Sequence, residues 1–272
     1  MNVQVCAVPV REQKMEYVRF GRGKTPLVIV AGMSLTGIMD QAEAIAAAYA
    51  CFAEDYTVYV FERLPVLPEG CTVRDMAEDL ACALDRLGIS GADMMGSSQG
   101  GMIVQCLAAL HPELVRAAVL ASTTCRPNPT SDETFRIWRD TARTGDPAAV
   151  NDAAFRRIYT EKFREENVEV FAALAKTGTP EQCVRFAVLA EACRSFDSTD
   201  MLDKIRCPVL VIGVWGDMVL SGKASLELAE RLHCEVYMYE GFGHSVCDEA
   251  PDFKQRMLDF FRRAAASDSE TV

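Results

Sequence analysis

The chain has 272 residues, 50% of them hydrophobic and 25% charged. That is an ordinary globular composition, which allows one large domain with a substantial insertion and excludes wholesale disorder. Lys plus Arg number 28 against 39 Asp plus Glu, and the net charge of −11 would repel a phosphate backbone, so nucleic acid is not an expected partner.

Eight short apolar runs, rich in β-branched residues and bounded by turn signals, predict strands at 3–8, 15–20, 26–31, 57–62, 92–97, 116–122, 208–214 and 234–240. Several are apolar throughout rather than alternating, as expected of parallel strands covered on both faces. Helical spacing predicts helices at 40–53, 73–87, 99–110, 222–232 and 251–265. Strand alternating with helix gives an α/β fold, an eight-stranded mostly parallel sheet flanked by helices. Only a short polar turn separates the first two strands, so they are expected to pair as an antiparallel hairpin at one edge.

Between 126 and 198 the strand signals stop. Helices are expected at 130–143, 146–164, 167–176 and 180–196, an all-helical block inserted into the α/β pattern. The predicted division is therefore a core of 1–125 and 199–272 and an inserted helical cap of 126–198. The last residues, SDSETV, read as a solvated tail. No apolar run reaches the roughly 18 residues of a membrane helix. The opening MNVQVCAVPVREQK has no basic end followed by an apolar stretch, so neither a signal peptide nor a membrane partner is expected.

There are 11 cysteines, an odd number, with no C-x-x-C pair and none at zinc-ligand spacing from a histidine. They read as reduced thiols of a cytoplasmic protein, mostly small core hydrophobes such as Cys106 and Cys207. No metal site is expected. Gly23-Lys24-Thr25 lacks the glycine a phosphate-binding loop needs, position 18 being Val18, and no G-x-G-x-x-G follows a strand. No cofactor is expected, and the expected partner is a small molecule.

The most informative stretch is Gly96-Ser97-Ser98-Gln99-Gly100, a G-x-S-x-G between a predicted strand and a predicted helix. A nucleophile on a tight strand-to-helix turn needs glycine two positions either side, where side chains would collide. Ser98 meets that condition; Ser97 does not, because Met95 occupies the position two before it. The Gln99 amide falls at the helix N-terminus, where it can face a developing oxyanion. Of three histidines, His111 and His233 fall at element ends, whereas His244 lies in a Gly-flanked loop just beyond the last strand, where open α/β sheets place their sites. Asp217 ends the seventh strand, leaving room for one helix and one strand before His244. Asp200 and Asp203 fall at the opposite end of that strand, and Asp248 and Glu249 are expected to cap the final helix.

The order Ser98, Asp217, His244, together with YVRFGRG, GSSQGG, PVLVIGVWGD and GFGH at their places in the strand pattern, resembles the α/β-hydrolase fold superfamily over nearly the whole chain. The resemblance implies a Ser-His-Asp triad and a helical cap over the pocket. It also implies a second oxyanion donor in the loop after the third strand, here the Met33 amide. The sequence departs from that family in having Ala31-Gly32 where His-Gly is common. It also has Glu62-Arg63-Leu64-Pro65 where an Asp with an Arg-Gly pair is common. The expected activity is that of a serine hydrolase cleaving a small, partly apolar ester, because the inserted helices are rich in aromatic residues. The same triad would serve thioester, amide or carbon–carbon bond hydrolysis, and a non-catalytic ligand-binding member of the family is the remaining alternative.

Overall fold

The computed structural model describes residues 2–269. Eight strands form one sheet: β1 (Gln4–Val10), β2 (Gln13–Gly21), β3 (Thr25–Val30), β4 (Tyr56–Phe61), β5 (Ala92–Ser97), β6 (Val115–Ala121), β7 (Val209–Val214) and β8 (Glu235–Tyr239). Their spatial order is β1-β2-β4-β3-β5-β6-β7-β8. β1 and β2 make the expected antiparallel edge hairpin, β2 also runs antiparallel to β4, and every remaining neighbour pair is parallel.

Continuous apolarity in the strands is explained by cover on both faces. Along β3, Val28 and Val30 join one buried cluster while Leu27 and Ile29 join the other; along β6, Ala118 and Leu120 divide from Ala117 and Val119 in the same way. Successive side chains of a strand point to opposite faces, so a strand buried on both must be apolar at every position. The first face is covered by α2 (Val73–Arg86), α3 (Gln99–Leu110) and α9 (Gly222–Leu232) through Leu84, Leu107 and Leu228. The second is covered by α1 (Ala42–Ala48) and α11 (Phe253–Ser269) through Ala46, Met257 and Phe261. Fully burying each large apolar side chain contributes about 1.5–3 kcal/mol.

Between β6 and β7 there are only helices: α4 (Pro129–Ala142), α5 (Pro147–Ile158), α6 (Glu161–Glu166), α7 (Val168–Leu174) and α8 (Pro180–Arg194). Asn128, Asp146, Thr160 and Thr179 each cap a helix N-terminus with a side-chain oxygen. The single helix expected over 146–164 is two, because Thr160 leaves the helix and accepts from the Phe163 amide to start α6. The helix expected over 40–53 is likewise shortened to α1, with a single-turn 3-10 segment on either side. Helices α6 and α7 contribute no fully buried residue. A short α10 (Val246–Glu249) precedes α11. α11 runs through the start of the predicted tail to Ser269; residues 270–272 of that tail lie outside the described residues. Among the described residues no helix is long and apolar enough to cross a membrane.

Candidate active site

Parallel strands deliver their carboxyl ends to one rim, and every singled-out residue lies just beyond such an end. Met33 follows β3, Ser98 follows β5, Asp217 follows β7 and His244 follows β8.

Ser98 sits between β5 and α3 with φ of 54° and ψ of −119°, a region side chains rarely occupy. Such strain costs on the order of 1–3 kcal/mol. The surroundings hold it there: the Ser98 amide donates to the Ala121 carbonyl (2.9 Å), and the Thr123 hydroxyl donates to the Ser98 carbonyl (2.8 Å). The flanking glycines are dictated by contact. A Cβ on Gly96 would lie 2.4 Å from the Gly100 oxygen, and one on Gly100 would lie 1.9 Å from the Val30 oxygen. The elbow composition is thus a packing requirement against β3 as much as a conformational one.

Asp217 and His244 meet across the 27 residues that separate them. His244 Nδ1 lies 2.8 Å from Asp217 Oδ2, and both side chains are almost completely buried. Asp217 Oδ1 accepts from the amides of Val219 (2.8 Å) and Leu220 (2.9 Å). Burial alone would raise the Asp217 pKa. The imidazole and these two amides outweigh it and hold the carboxyl below its ordinary value. The carboxylate is therefore fixed in both charge and orientation, and Nδ1 is the nitrogen committed to it.

The segment around His244 is gripped by the α5–α6 junction. Glu249 accepts from the Gly243 amide (3.2 Å), the Thr160 amide (2.9 Å) and the Thr160 hydroxyl (2.8 Å), and the Ser245 amide donates to the Ile158 carbonyl (3.1 Å). Asp248 accepts from the Ser245 hydroxyl and from Tyr159. Neither acid caps the final helix as expected. Both lie in α10, one turn too early, and their oxygens go to the loop and the insertion. His111 ends α3 against Glu78, and His233 ends α9 in a left-handed conformation; neither lines the cavity described next.

Ser98, His244 and the Gly32–Met33 segment share the wall of one cavity of about 270 Å3. Trp138, Phe155, Ile158, Tyr159, Leu174 and Phe186 from the inserted helices reach it, whereas Phe135, Phe163, Phe171 and Leu189 pack elsewhere. The Met33 and Gln99 amides donate to no protein acceptor among the described residues.

Sequence reasoning missed the bracing of the loop that carries Met33. Arg63, 4% exposed, donates to the carbonyls of Ala31 and of Gly32, the latter at 3.1 Å. Glu62 accepts from the Arg63 amide (2.8 Å) and from Arg185 of α8 (3.1 Å). Burial pulls the Arg63 pKa below its ordinary value, opposed by the neighbouring Glu62. The signal was present in the Glu-Arg pair that interrupts an apolar strand end. The Gln99 side chain was missed too: its Nε2 donates to the Leu189 carbonyl of α8 (3.1 Å) and to Cys193 Sγ (3.0 Å). Among the described residues no cluster of three or more His, Cys, Asp or Glu is arranged to hold a metal ion.

Comparison with known proteins agrees with this architecture. Residues 39–251 match the alpha/beta hydrolase fold family. A protein of Stutzerimonas stutzeri (strain A1501) named "Putative carbamate hydrolase RutD" is 30% identical over 220 residues, 76% of this chain and 82% of that protein. Among solved structures, MGS-M2, an alpha/beta hydrolase enzyme from a Medee basin deep-sea metagenome library, aligns with a TM-score of 0.82 at 22% identity, covering 94% of this chain and 97% of that one. The enol-lactonase from Burkholderia xenovorans LB400 aligns with a TM-score of 0.81 at 21% identity, covering 94% and 100%. With more than half of its length matched, the chain belongs to the alpha/beta hydrolase fold family and is a hydrolase.

Proposed function

We propose that the protein is a serine hydrolase that cleaves a small, partly apolar carboxylic ester through an acyl-enzyme on Ser98. The observation that carries this reading is the buried 2.8 Å His244–Asp217 pair lining, through its histidine, the same cavity as the strained Ser98. With Nδ1 bound to Asp217, Nε2 is left to take the Ser98 proton once substrate binding brings the hydroxyl and the ring, which share a cavity but form no hydrogen bond in this structure, into contact. Ser98 Oγ then attacks the ester carbonyl, and the Met33 and Gln99 amides hold the oxyanion, each such donor contributing about 2.7–4 kcal/mol to lowering the barrier. The C–O bond breaks, and the leaving alcohol takes the proton from Nε2. Water, deprotonated by His244, cleaves the acyl-enzyme and restores Ser98. The inserted helices 126–198 act as the cap, their apolar side chains drying the cavity in which these charges develop.

A carbamate is a second reading, favoured by the name carried by the Stutzerimonas relative. It needs the same attack on a carbonyl, with nitrogen on its other side. Labelling with a fluorophosphonate tests the shared mechanism: the folded protein should be modified at Ser98 and lose activity in proportion. Failure to label Ser98 in protein that retains turnover would remove it. Relative kcat/KM on matched esters and carbamates then separates the two substrates.

A further inference from the structure

Among the described residues the cavity wall holds no Lys or Arg; its one carboxylate is Asp248, already bonded to Ser245 and Tyr159. A substrate carboxylate or phosphate would be desolvated there without a cationic side chain to offset its charge. One polar side chain in the wall is fixed by two hydrogen bonds of its own and still keeps an acceptor unspent. Asn151 of α5 is 5% exposed, and its Nδ2 donates to the carbonyls of Leu174 (3.0 Å) and Thr177 (3.1 Å). Leu174 and Thr177 line the cavity as well. Both amide hydrogens are thereby committed, and a flipped amide would set Oδ1 against two carbonyl oxygens. Oδ1 takes no donor among the described residues, and it is not sealed away from solvent. The Ser34 and Tyr49 hydroxyls in the same wall are also without a hydrogen-bond partner among the described residues. A hydroxyl rotates to donate or accept and so selects neither; the Asn151 amide has only an acceptor left.

We infer that Asn151 Oδ1 is a specificity-determining acceptor that reads an O–H or N–H carried by an uncharged, otherwise apolar substrate. The inference rests on the reading of Ser98 as nucleophile and narrows its substrate to neutral carbonyl compounds with one hydrogen-bond donor beyond the scissile group. A substrate lacking that donor would bury Oδ1 unpaired, which the site discriminates against by about tenfold.

The test is a panel of short neutral esters carrying a hydroxyl at successive carbons of the acyl or the alcohol chain. Each is compared by kcat/KM with its O-methyl ether and with the matching carboxylate. At one position the hydroxyl compound should exceed its ether by about tenfold, and the carboxylate should fall below both. In Asn151→Leu that ratio should collapse to less than about twofold, whereas loss of the Leu174 and Thr177 bonds alone would depress both compounds alike. A native enzyme with no hydroxyl position above about twofold overturns the inference without recourse to any variant, as does a ratio that survives in Asn151→Leu. Calorimetric binding of the corresponding amides to Ser98→Ala reads the same ratio without turnover. Failure of Ser98 as nucleophile and failure of Asn151 as reader therefore give different results.

Discussion

Replacing Asp217 by Asn tests the whole proton path with almost no change in volume. The side chain has three fixed neighbours: the Val219 and Leu220 amides on Oδ1, and His244 Nδ1 on Oδ2. In Asp217→Asn the new NH2 has two orientations. Placed toward Val219 and Leu220 it would oppose two buried N–H donors, each unsatisfied group costing about 1–3 kcal/mol. Placed toward His244 it donates to Nδ1, which must then be the unprotonated nitrogen. Two donors outweigh one, so the imidazole is forced to carry its proton on Nε2 and cannot accept one from Ser98. A tautomer error of this kind lowers kcat by about 10⁴, or roughly 5.5 kcal/mol of barrier at 1.36 kcal/mol per tenfold. The expected result is that loss in kcat on an ester substrate with KM nearly unchanged, a lowered but still cooperative thermal transition, and a matching slowing of fluorophosphonate labelling. Nitrogen-15 spectra of labelled histidine should show one imidazole, that of His244, exchanging tautomers while His111 and His233 stay as they were. A kcat within tenfold of the parent enzyme would refute the reasoning.

The brace on the Met33 loop is open to Arg63→Met, which removes both bonds to the Ala31 and Gly32 carbonyls. kcat should fall on the order of tenfold or more with KM shifted far less, and Arg63→Lys should recover part of it by holding one carbonyl; equal losses in kcat/KM through KM alone would show that the loop does not position the oxyanion donor. On the surface of the inserted helices, Arg194 and Arg139 hold Glu191 at about 2, below its ordinary 4.5. A depressed carboxyl stabilises the fold fully above its unfolded value and loses that contribution as pH falls through the folded one, so the window is from 4.5 down to about 2. The carboxylate is 39% exposed, and solvent screening keeps the contribution below about 1 kcal/mol. Thermal melts of Glu191→Gln should therefore decline slightly less than those of the parent across that window, and identical slopes would contradict the pairing.

The layered fold was legible because the central strands β3, β6 and β7 are buried on both faces, which forces apolar residues at nearly every position. The elbow at Ser98 was legible because steric contact dictates its glycines. His244 and Asp217 followed from their place at strand ends, since a parallel sheet carries every such end to the same rim. The helices of the insertion were harder. Asp146 and Thr160 are both good caps, but the apolar spacing of 146–164 runs straight through Thr160. What breaks the helix there is Glu249, which lies 89 residues away and takes the Thr160 amide and hydroxyl. A local pattern cannot register a partner at that distance. The same distance hid the true role of Glu249 and Asp248, whose position just before a helix imitates that of capping residues.

Those distant bonds make the cavity a joint product of sheet and insertion. On one side the amides of Gly243 and Ser245, the residues either side of His244, are held by Glu249 and by the Ile158 carbonyl at the α5–α6 junction. On the other side α8 reaches both candidate oxyanion donors: Arg185 grips Glu62, beside the Arg63 that holds the Met33 loop, and the Leu189 carbonyl takes the Gln99 side chain next to the Gln99 amide. A hydrogen bond to a charged group contributes about 1.5–3 kcal/mol, and a neutral one about 0.5–1.5 kcal/mol. Lifting the inserted helices away as one body would break all of these together, and with them the geometry of base and oxyanion donors. Helices α6 and α7 carry no fully buried residue, so the stretch of the insertion that can move at least energetic cost is the one between the Thr160 anchor on Glu249 and the Leu174 carbonyl that holds Asn151, leaving α5 and α8 in place to keep the site assembled.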